Sequence, residues 1–428
     1  MFIDLPRSPL GFTDTTLGIG EIFSMEDKIR FSRSGHPDLA SFHHDLYRAI
    51  GKGNFWIMEQ QPGPVNWGSH NPSPHTGMVR LWSLEAFAHG ASTVSYFRWR
   101  QAPFAQEQMH SGLNRRDNFP DQGLKEVQLT YQDLGRLRQS AASQLTNIPQ
   151  VGIFFDFEGS WFLEIQPQGV SFSFIKLVYH FYSSVYSLGA QVDFISTNHE
   201  TFDLSKYALL IVPGLPFVPE NLISALESFS GQIVFGPRTG SKTSDFQIPE
   251  TLAPGASLQH SLLPFQITRV ESLRDNDFFT VLMDDSSFNE SIWREFAEVK
   301  TSDKIAVPVK FENCDLPAVI CIDSKSHYIS FFPSVEFLRS YLNAKIGIHW
   351  PLANLSDPEN KHNPTAVRIA QVEGINFLFN YGVSSVDLSS LNLCPSGSSV
   401  EMILGETLSL VEGVSVLAWK CSIASPLS

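Results

Sequence analysis

The stretch Asn54-Phe-Trp-Ile-Met-Glu-Gln-Gln-Pro-Gly63 decides the fold class of the first third of the chain. Its first half, Asn54–Met58, is a short and continuous apolar run, which is typical of a strand buried on both faces of a parallel sheet. Polar residues and a Pro-Gly loop follow the run directly. A strand that leads through a polar loop to a helix and a further strand is the pattern of a βαβ unit.

The segments on either side of this run complete the unit. A helix is predicted from Asp38, its N-cap, through Ile50, because apolar residues recur there at helical spacing. The members of that apolar face are Leu39, Phe42, Leu46 and Ile50. A second helix is predicted at about 76–89, and a second strand over Thr93–Trp99. Polar side chains gather after each of the two strands.

Residues 148–364 alternate apolar runs with helical patterns. The runs predicted as strands are Val151–Phe155, Gln191–Ile195, Ala208–Val212 and Gln232–Phe235. Helical patterns lie between them at about 172–188 and 218–229. Strands that alternate with helices predict an open, mostly parallel sheet.

From residue 365 the pattern changes to short alternating runs such as Ile375–Phe379 and Val414–Trp419, separated by Ser, Gly, Asn and Pro. This pattern predicts a small antiparallel β domain. The chain is therefore expected to hold three domains, over residues 1–147, 148–364 and 365–428.

Composition argues against several classes of function. The 428 residues include 30 Lys and Arg against 44 Asp and Glu, a net charge of −14, which disfavours binding to nucleic acid or to an anionic membrane. No apolar run is long enough for a transmembrane helix, and the first 30 residues lack the pattern of a signal peptide, so a cytoplasmic protein is expected. The four cysteines follow no C-x-x-C spacing and are expected to be buried thiols.

Glu59 is the first candidate for chemistry, because it directly follows the strand of the opening stretch. In a parallel α/β barrel, residues at the carboxyl ends of strands face the active site. A carboxylate beside Gln60, Gln61 and Trp67 suits sugar chemistry, since glycosidases work with carboxylates, amides bind hydroxyl groups and an indole packs on the apolar face of a sugar. The alternative is a solvated Glu at a strand end.

A second group of polar residues follows the next predicted strand. Glu107 and His110 could share a helix face, which would suit a metal pair, but hydroxyl binding or a structural hydrogen bond is favoured. Arg98 and Arg100 could orient Glu59, or could form a structural ion pair. No metal and no cofactor are expected.

Several long motifs resemble those of the family 42 glycoside hydrolases, which are β-galactosidases. In the first third they are Gly35-His-Pro-Asp38, Phe42-His-His-Asp-Leu-Tyr-Arg48, Phe55-Trp-Ile-Met-Glu-Gln-Gln-Pro-Gly63, Val65-Asn-Trp67, Tyr96-Phe-Arg-Trp-Arg100 and Glu107-Gln-Met-His-Ser-Gly112. In the second third they are Asp156-Phe-Glu158, Ile165-Gln-Pro-Gln168 and Gly236-Pro-Arg-Thr-Gly240. The resemblance covers nearly the whole chain from about residue 9.

The resemblance implies a fold and a set of roles. It implies the C-terminal part of a (β/α)8 barrel, then a flavodoxin-like or amidotransferase-like domain that mediates trimerisation, then a small β domain. Glu59 falls on the family's nucleophile, and Trp67, Glu107 and His110 fall on positions that contact galactose. The implied reaction is hydrolysis of terminal β-galactosides with retention, so a second carboxyl about 5 Å from Glu59 is needed as acid and base.

The chain departs from the family pattern at that second carboxyl. In the family it belongs to an Asn-Glu pair far upstream of the nucleophile, whereas the only Asn-Glu here is Asn289-Glu290. A barrel needs eight strands and about 250 residues, so an incomplete barrel is expected. We therefore expect little activity from this chain alone, and activity if an N-terminal half exists as a separate chain. The alternative is a non-catalytic remnant for oligomerisation or galactose binding.

Overall fold

A computed structural model describes residues 2–3, 25–66, 70–140, 146–167, 169–274, 276–300, 302–314, 316–355, 365–411 and 413–423. The chain divides into two compact units. The first comprises Met1–Ile148, Tyr186–Gln191 and Trp350–Ser428, and the second comprises Pro149–Val185 and Val192–His349. The division into three domains stays a prediction, because two domains that pack closely also form one compact unit.

The elements before the middle of the chain alternate helices with parallel strands. In chain order they are β1 (Phe2–Ile3), α1 (Met25–Arg30), α2 (Pro37–Ile50), β2 (Phe55–Gln60), α3 (Met78–Ala88), β3 (Ala91–Tyr96), α4 (Gln122–Gln139), β4 (Gln150–Phe155), α5 (Phe157–Ile165), α6 (Phe174–Ser187), β5 (Gln191–Ser196), β6 (Leu209–Val212), α7 (Glu220–Ser228) and β7 (Gln232–Phe235). The helices and strands predicted for this half are present, with ends that differ from the predicted ones by a few residues.

The second half is mostly β structure. In chain order it contains α8 (Ala256–Ser261), β8 (Phe265–Ser272), β9 (Phe279–Met283), β10 (Ser286–Glu290), β11 (Trp293–Val299), β12 (Ile305–Phe311), β13 (Pro317–Ile322), β14 (Ser326–Ile329), α9 (Val335–Lys345), β15 (Val367–Val372), β16 (Ile375–Asn380), β17 (Val386–Asp387), β18 (Ser398–Leu404), β19 (Leu410–Val411) and β20 (Ser415–Ile423). The strands β8–β14 were not predicted.

In the first unit β1, β2 and β3 form a parallel sheet with β2 at its centre. Phe55 and Ile57 of β2 are fully buried and pack with Ala86 of α3. The expected burial of both faces of β2 is wrong, since Trp56 and Met58 on the other face are each 39% exposed. The strand is therefore packed against a helix on one face and covered less on the other.

The N-cap of helix α2 lies two residues before the predicted one. Its N-cap is His36, whose Nδ1 accepts a hydrogen bond from the backbone N–H of Asp38 at 3.2 Å, so the prediction of Asp38 as N-cap is wrong. Pro37 occupies the first turn, where its missing N–H costs nothing. The Asp38 carboxylate instead accepts a hydrogen bond from Arg368 Nε, and both side chains are buried.

The antiparallel sheet of the last segment, ordered β15-β16-β20-β18, packs on α3. Trp82 of α3 and Phe377 and Phe379 of β16 lie in one buried cluster. Helix α3 therefore packs against β2 on one side and against the antiparallel sheet β15-β16-β20-β18 on another.

The second unit is built on a nine-stranded sheet ordered β10-β9-β12-β13-β14-β7-β6-β4-β5. The pairs β4–β6, β6–β7 and β7–β14 are parallel, as predicted for the strands before residue 236. The pairs from β10 to β14 are antiparallel. All four residues of β6 are fully buried, as expected of a central parallel strand.

The expectation that all four cysteines are buried thiols is wrong, because two are disulfide-bonded and the two free ones are half-buried. Cys394 and Cys421 form a disulfide between Cα atoms 5.6 Å apart, whereas Cys314 and Cys321 are free. The two cysteines are 27 residues apart and match no short motif. Only folding brings Cys421 of β20 next to Cys394, which lies in the loop between β17 and β18. Among the described residues no helix has the length and apolar composition that crossing a bilayer requires.

Candidate active site

The polar residues predicted after β2 and β3 do meet at one edge of the parallel sheet. Gln60 and Tyr96, the last residues of the two strands, are paired, so both carboxyl ends lie at the same edge. The loops that follow are tied to each other. Phe97 N donates to Gln60 O at 3.0 Å, and Ser111 N donates to Pro64 O at 2.9 Å. This edge is therefore where the chain concentrates the side chains of the candidate site.

Glu59, Gln61 and His110 form a hydrogen-bonded chain at this edge. Gln61 Nε2 donates to Glu59 Oε1 at 2.6 Å, and Gln61 Oε1 accepts from His110 Nε2. Gln61 and His110 are fully buried, and Glu59 is half-buried. Buried side chains thus hold one oxygen of the Glu59 carboxylate in place, and a catalytic nucleophile requires such a fixed orientation.

The environment of His110 keeps its ring neutral. Burial lowers the pKa of His110, and the nearby Glu107 carboxylate opposes that effect while Arg98 adds to it. The edge of the ring meets Phe97, with centroids 5.2 Å apart and planes at 68°. A neutral imidazole has one donor and one acceptor nitrogen, so His110 can serve two hydrogen-bonding partners of opposite kind.

Glu107 lies in the turn before His110 and is half-buried. Its carboxylate approaches Arg98 at 3.9 Å, a contact between side chains that are 46% and 34% exposed. Arg98 thus pairs with Glu107, which favours the ion-pair alternative for that residue. Arg100 donates to Asn118 Oδ1 at 2.7 Å.

The expected helix face shared by Glu107 and His110 is wrong, because residues 104–110 form turns and not a helix. His110 N donates to Glu107 O at 3.2 Å, so the two are joined through the backbone. In the described part of the chain, no three His, Cys, Asp or Glu side chains are grouped as a metal site requires. Trp67, the fourth predicted site residue, lies outside the described residues.

Gln61 is the residue whose role the sequence did not reveal. It was expected only as one of two amides able to bind hydroxyl groups. The available signal was its spacing, since alternate residues of an extended chain point to the same side and Gln61 is two residues after Glu59. His110, 49 residues further on, could be joined to Gln61 only by folding.

Comparison with protein-family models finds two matches. Residues 22–137 match the model described as beta-galactosidase, and residues 149–347 match the model described as beta-galactosidase trimerisation domain. The first match includes Glu59, Gln61, Glu107 and His110.

Comparison with curated proteins finds a beta-galactosidase of Thermus thermophilus that is 42% identical over 397 residues, which is 93% of this chain and 56% of the relative. The beta-galactosidase Bga of Halorubrum lacusprofundi is 39% identical over 52% of this chain and 31% of its own length. The chain spans about half the length of the full-length Thermus relatives it matches.

Solved structures give the same result. The beta-galactosidase from the psychrophilic Marinomonas ef1 aligns with a TM-score of 0.81 and 34% identity, over 98% of this chain and 60% of that one. The beta-galactosidase from Halorubrum lacusprofundi aligns with a TM-score of 0.75 and 28% identity, over 91% of this chain and 56% of that one. These neighbours indicate an α/β fold derived from a (β/α)8 barrel with additional β structure.

Proposed function

The chain belongs to glycoside hydrolase family 42, the β-galactosidases, and we propose that its site serves the hydrolysis of terminal β-D-galactosides with retention. The observation that supports this most is the position of Glu59, a half-buried carboxylate at the carboxyl end of β2 that Gln61 holds through a hydrogen bond of 2.6 Å. Trp67, Glu107 and His110 are the proposed contacts to galactose.

In the proposed reaction an oxygen of Glu59 attacks the anomeric carbon and the bond to the leaving oxygen breaks. A second carboxyl about 5 Å away protonates the leaving group and then takes a proton from the water that releases galactose. The product keeps the β configuration because the anomeric carbon is inverted twice. His110 and Glu107 bind hydroxyl groups in this scheme and do not take part in bond breaking.

We propose that this chain does not supply the second carboxyl and is weakly active or inactive alone. The single Asn-Glu pair of the sequence ends in Glu290, which belongs to the second unit. Both oxygens of Glu290 accept hydrogen bonds from Ser334, the N-cap residue of α9, so this carboxyl already has a structural task. General acid–base assistance is worth about 10²–10⁴-fold in rate.

A galactoside with a good leaving group tests the role of Glu59 without the second carboxyl. The 2,4-dinitrophenolate group leaves without protonation, so the chain should release one equivalent of it in a burst. Galactosyl-Glu59 should then accumulate, because no base activates water. Peptide mapping by mass spectrometry locates the adduct. Glu59→Gln should abolish the burst, whereas Glu26→Gln, the same change at an exposed site of the same unit, should not. An adduct on another residue would refute the assignment.

Exposed apolar side chains beside the site support the proposal that a further segment completes it. Trp99, Phe104 and Met109, all in the loop after β3, are 70%, 68% and 73% exposed. Exposed apolar groups of this density mark a surface that another segment covers. Adding the N-terminal half of the Thermus thermophilus relative should therefore restore turnover of galactosides with poor leaving groups. No gain in turnover, with binding shown by co-elution, would contradict this proposal.

The second candidate function is a non-catalytic one, in oligomerisation or galactose binding. The match of residues 149–347 to the model described as beta-galactosidase trimerisation domain favours oligomerisation. We propose a homotrimer formed through this domain. Light scattering should give three times the chain mass of 47.9 kDa, and Glu59→Gln should not change it. A monomer would exclude oligomerisation as this function, although not galactose binding.

A further inference from the structure

The side chain of Gln61 links the proposed nucleophile to the proposed sugar-binding histidine. We propose that Gln61 is a positioning residue, which orients the Glu59 carboxylate and fixes the proton of His110 on Nε2. The inference rests on the proposed function for the role of Glu59, but its statement about the proton of His110 can be tested without it.

The hydrogen-bonding capacities of the three groups allow one arrangement. A carboxylate only accepts, so the amide nitrogen of Gln61 must face Glu59, and it does so at 2.6 Å. The amide oxygen of Gln61 then faces His110, and an amide oxygen also only accepts. The imidazole must therefore donate through Nε2. The charge of Glu59 thus fixes both the orientation of the amide and the tautomer of the ring.

The fixed tautomer determines what His110 can recognise. Burial lowers the pKa of His110, which favours the neutral ring, and with the proton on Nε2 the neutral ring has Nδ1 as an acceptor. Nδ1 is buried and has no hydrogen-bonding partner among the described residues. A buried acceptor without a partner is costly, which points to a ligand that supplies a donor. In this tautomer Nδ1 of His110 is an acceptor that can serve a hydroxyl donor of the sugar, whereas in the other tautomer it would be a donor.

The consequence for Glu59 is geometric. A hydrogen bond to one carboxylate oxygen stops the group from turning about its terminal bond, which keeps the attacking oxygen aligned with the anomeric carbon. Gln61 is fully buried and is itself held by His110, so its side chain is already ordered before substrate binds. Loss of a hydrogen bond to a charged group such as Glu59 should lower the rate of its attack by about 10- to 100-fold.

Substitutions at Gln61 separate positioning from packing. Gln61→Met keeps the length of the side chain and removes both hydrogen bonds, so the dinitrophenolate burst should slow by about 10- to 100-fold at every pH. Gln61→Glu keeps the shape and makes the donor titratable. Its burst should be fast at low pH, where the introduced carboxyl is protonated and donates to Glu59, and should fall as that proton is lost. Glu107 and Arg98 are the other charged groups acting on His110 and are unchanged in both variants.

Gln191→Met provides the matched control. Gln191 is also a buried glutamine of the first unit, and its side-chain oxygen accepts a hydrogen bond from Gln371 N at 2.9 Å outside the candidate site, so the burst should stay within about threefold of that of the unaltered chain. A Gln61→Met burst as fast as that of Gln191→Met would overturn the proposal. So would a Gln61→Glu variant with the pH profile of the unaltered chain.

A spectrum of the imidazole nitrogens tests the proton without any reaction. In chain labelled with ¹⁵N-histidine, the signal that disappears in His110→Gln identifies His110. We expect a hydrogen on Nε2 and none on Nδ1, and a mixture of tautomers in Gln61→Met. A hydrogen on Nδ1 in the unaltered chain would overturn the inference. A correct tautomer in a chain that forms no adduct on Glu59 would instead refute the proposed function.

Discussion

Replacing Glu126 by Gln tests how the helix between the two strands of the candidate site is held. Helix α3 begins after Gly77, which has no side chain to satisfy the free backbone N–H groups of the first turn. Glu126 of α4 satisfies them instead. Its Oε1 accepts from Gly77 N at 2.8 Å, and its Oε2 accepts from Val79 N at 2.9 Å and from Arg80 N at 3.2 Å. Glu126 is 4% exposed, so little water can replace these contacts.

The geometry determines the size of the loss. The glutamine that replaces Glu126 has one accepting oxygen, and fewest hydrogen bonds are lost if this oxygen faces Val79 N and Arg80 N. Its amide nitrogen then takes the place of Oε1. Gln122, which donates to Oε1 at 2.8 Å, can rotate its own amide to accept from that nitrogen. The Gly77 N–H then loses a bond to a charged acceptor, which is worth about 1.5–3 kcal/mol. The other two bonds lose the charge, and the attraction of that charge to the helix dipole disappears as well. The stability of the α3 terminus should fall by about 3 kcal/mol.

Hydrogen exchange measured by mass spectrometry on peptides from the first turn of α3 reports this loss. A loss of about 3 kcal/mol corresponds to exchange more than about 100-fold faster at Val79 and Arg80. The control is Lys125→Gln, which changes one charge at an exposed position of the same helix and should leave exchange within about threefold. Exchange in Glu126→Gln as slow as in this control would refute the reasoning.

Three further predictions concern stability. Replacing Cys394 and Cys421 by Ala should lower the unfolding free energy by about 3.5 kcal/mol, because the disulfide closes a loop of 27 residues; a urea midpoint equal to that of the oxidised chain would contradict this. Asp38→Asn should cost about 3–5 kcal/mol in urea unfolding by leaving the buried Arg368 guanidinium without its counter-charge, and adding Arg368→Met should recover part of that loss. Burial raises the pKa of Glu290 to about 8, above its value in the unfolded chain. The protonated carboxyl therefore contributes fully to the free energy of unfolding below about pH 4, and this contribution is lost as the pH rises through 8. Glu290→Gln should therefore be no more stable than the unaltered chain at pH 5 and more stable above pH 8, and parallel stability curves in thermal melts would exclude this.

Much of the candidate site was predictable because its signals are local. Glu59 follows an apolar run, and residues at the ends of parallel strands meet at one edge of a sheet. The link from Gln61 to His110 was not predictable, since it joins residues 49 positions apart. The turn at residues 104–110 also overrode the helical spacing of Glu107 and His110, because the loop after β3 is bound to the loop after β2 by backbone hydrogen bonds.

The strands β8–β14 also show that local signals were predictable from the sequence and that contacts between distant residues were not. The alternation of strands and helices up to residue 236 predicted a mostly parallel sheet, and the pairs β4–β6 and β6–β7 are parallel. The antiparallel strands after β7 were missed because several of them, such as β8 and β10, expose most of their side chains and have no apolar run. Their pairing follows from hydrogen bonds between neighbouring strands and not from a periodic apolar face.

The sequence by itself determined the alternation of helices and strands up to residue 236, the position of Glu59 at a strand end and the family of the chain, because these depend on residues close together in the chain. The tertiary structure alone decided that Glu126 caps α3 and that Asp38 pairs with Arg368, 330 residues away. It also decided that Nε2 of His110 meets the amide oxygen of Gln61. Buried polar groups must find partners wherever packing provides them, and the identity of that partner is a property of the folded chain.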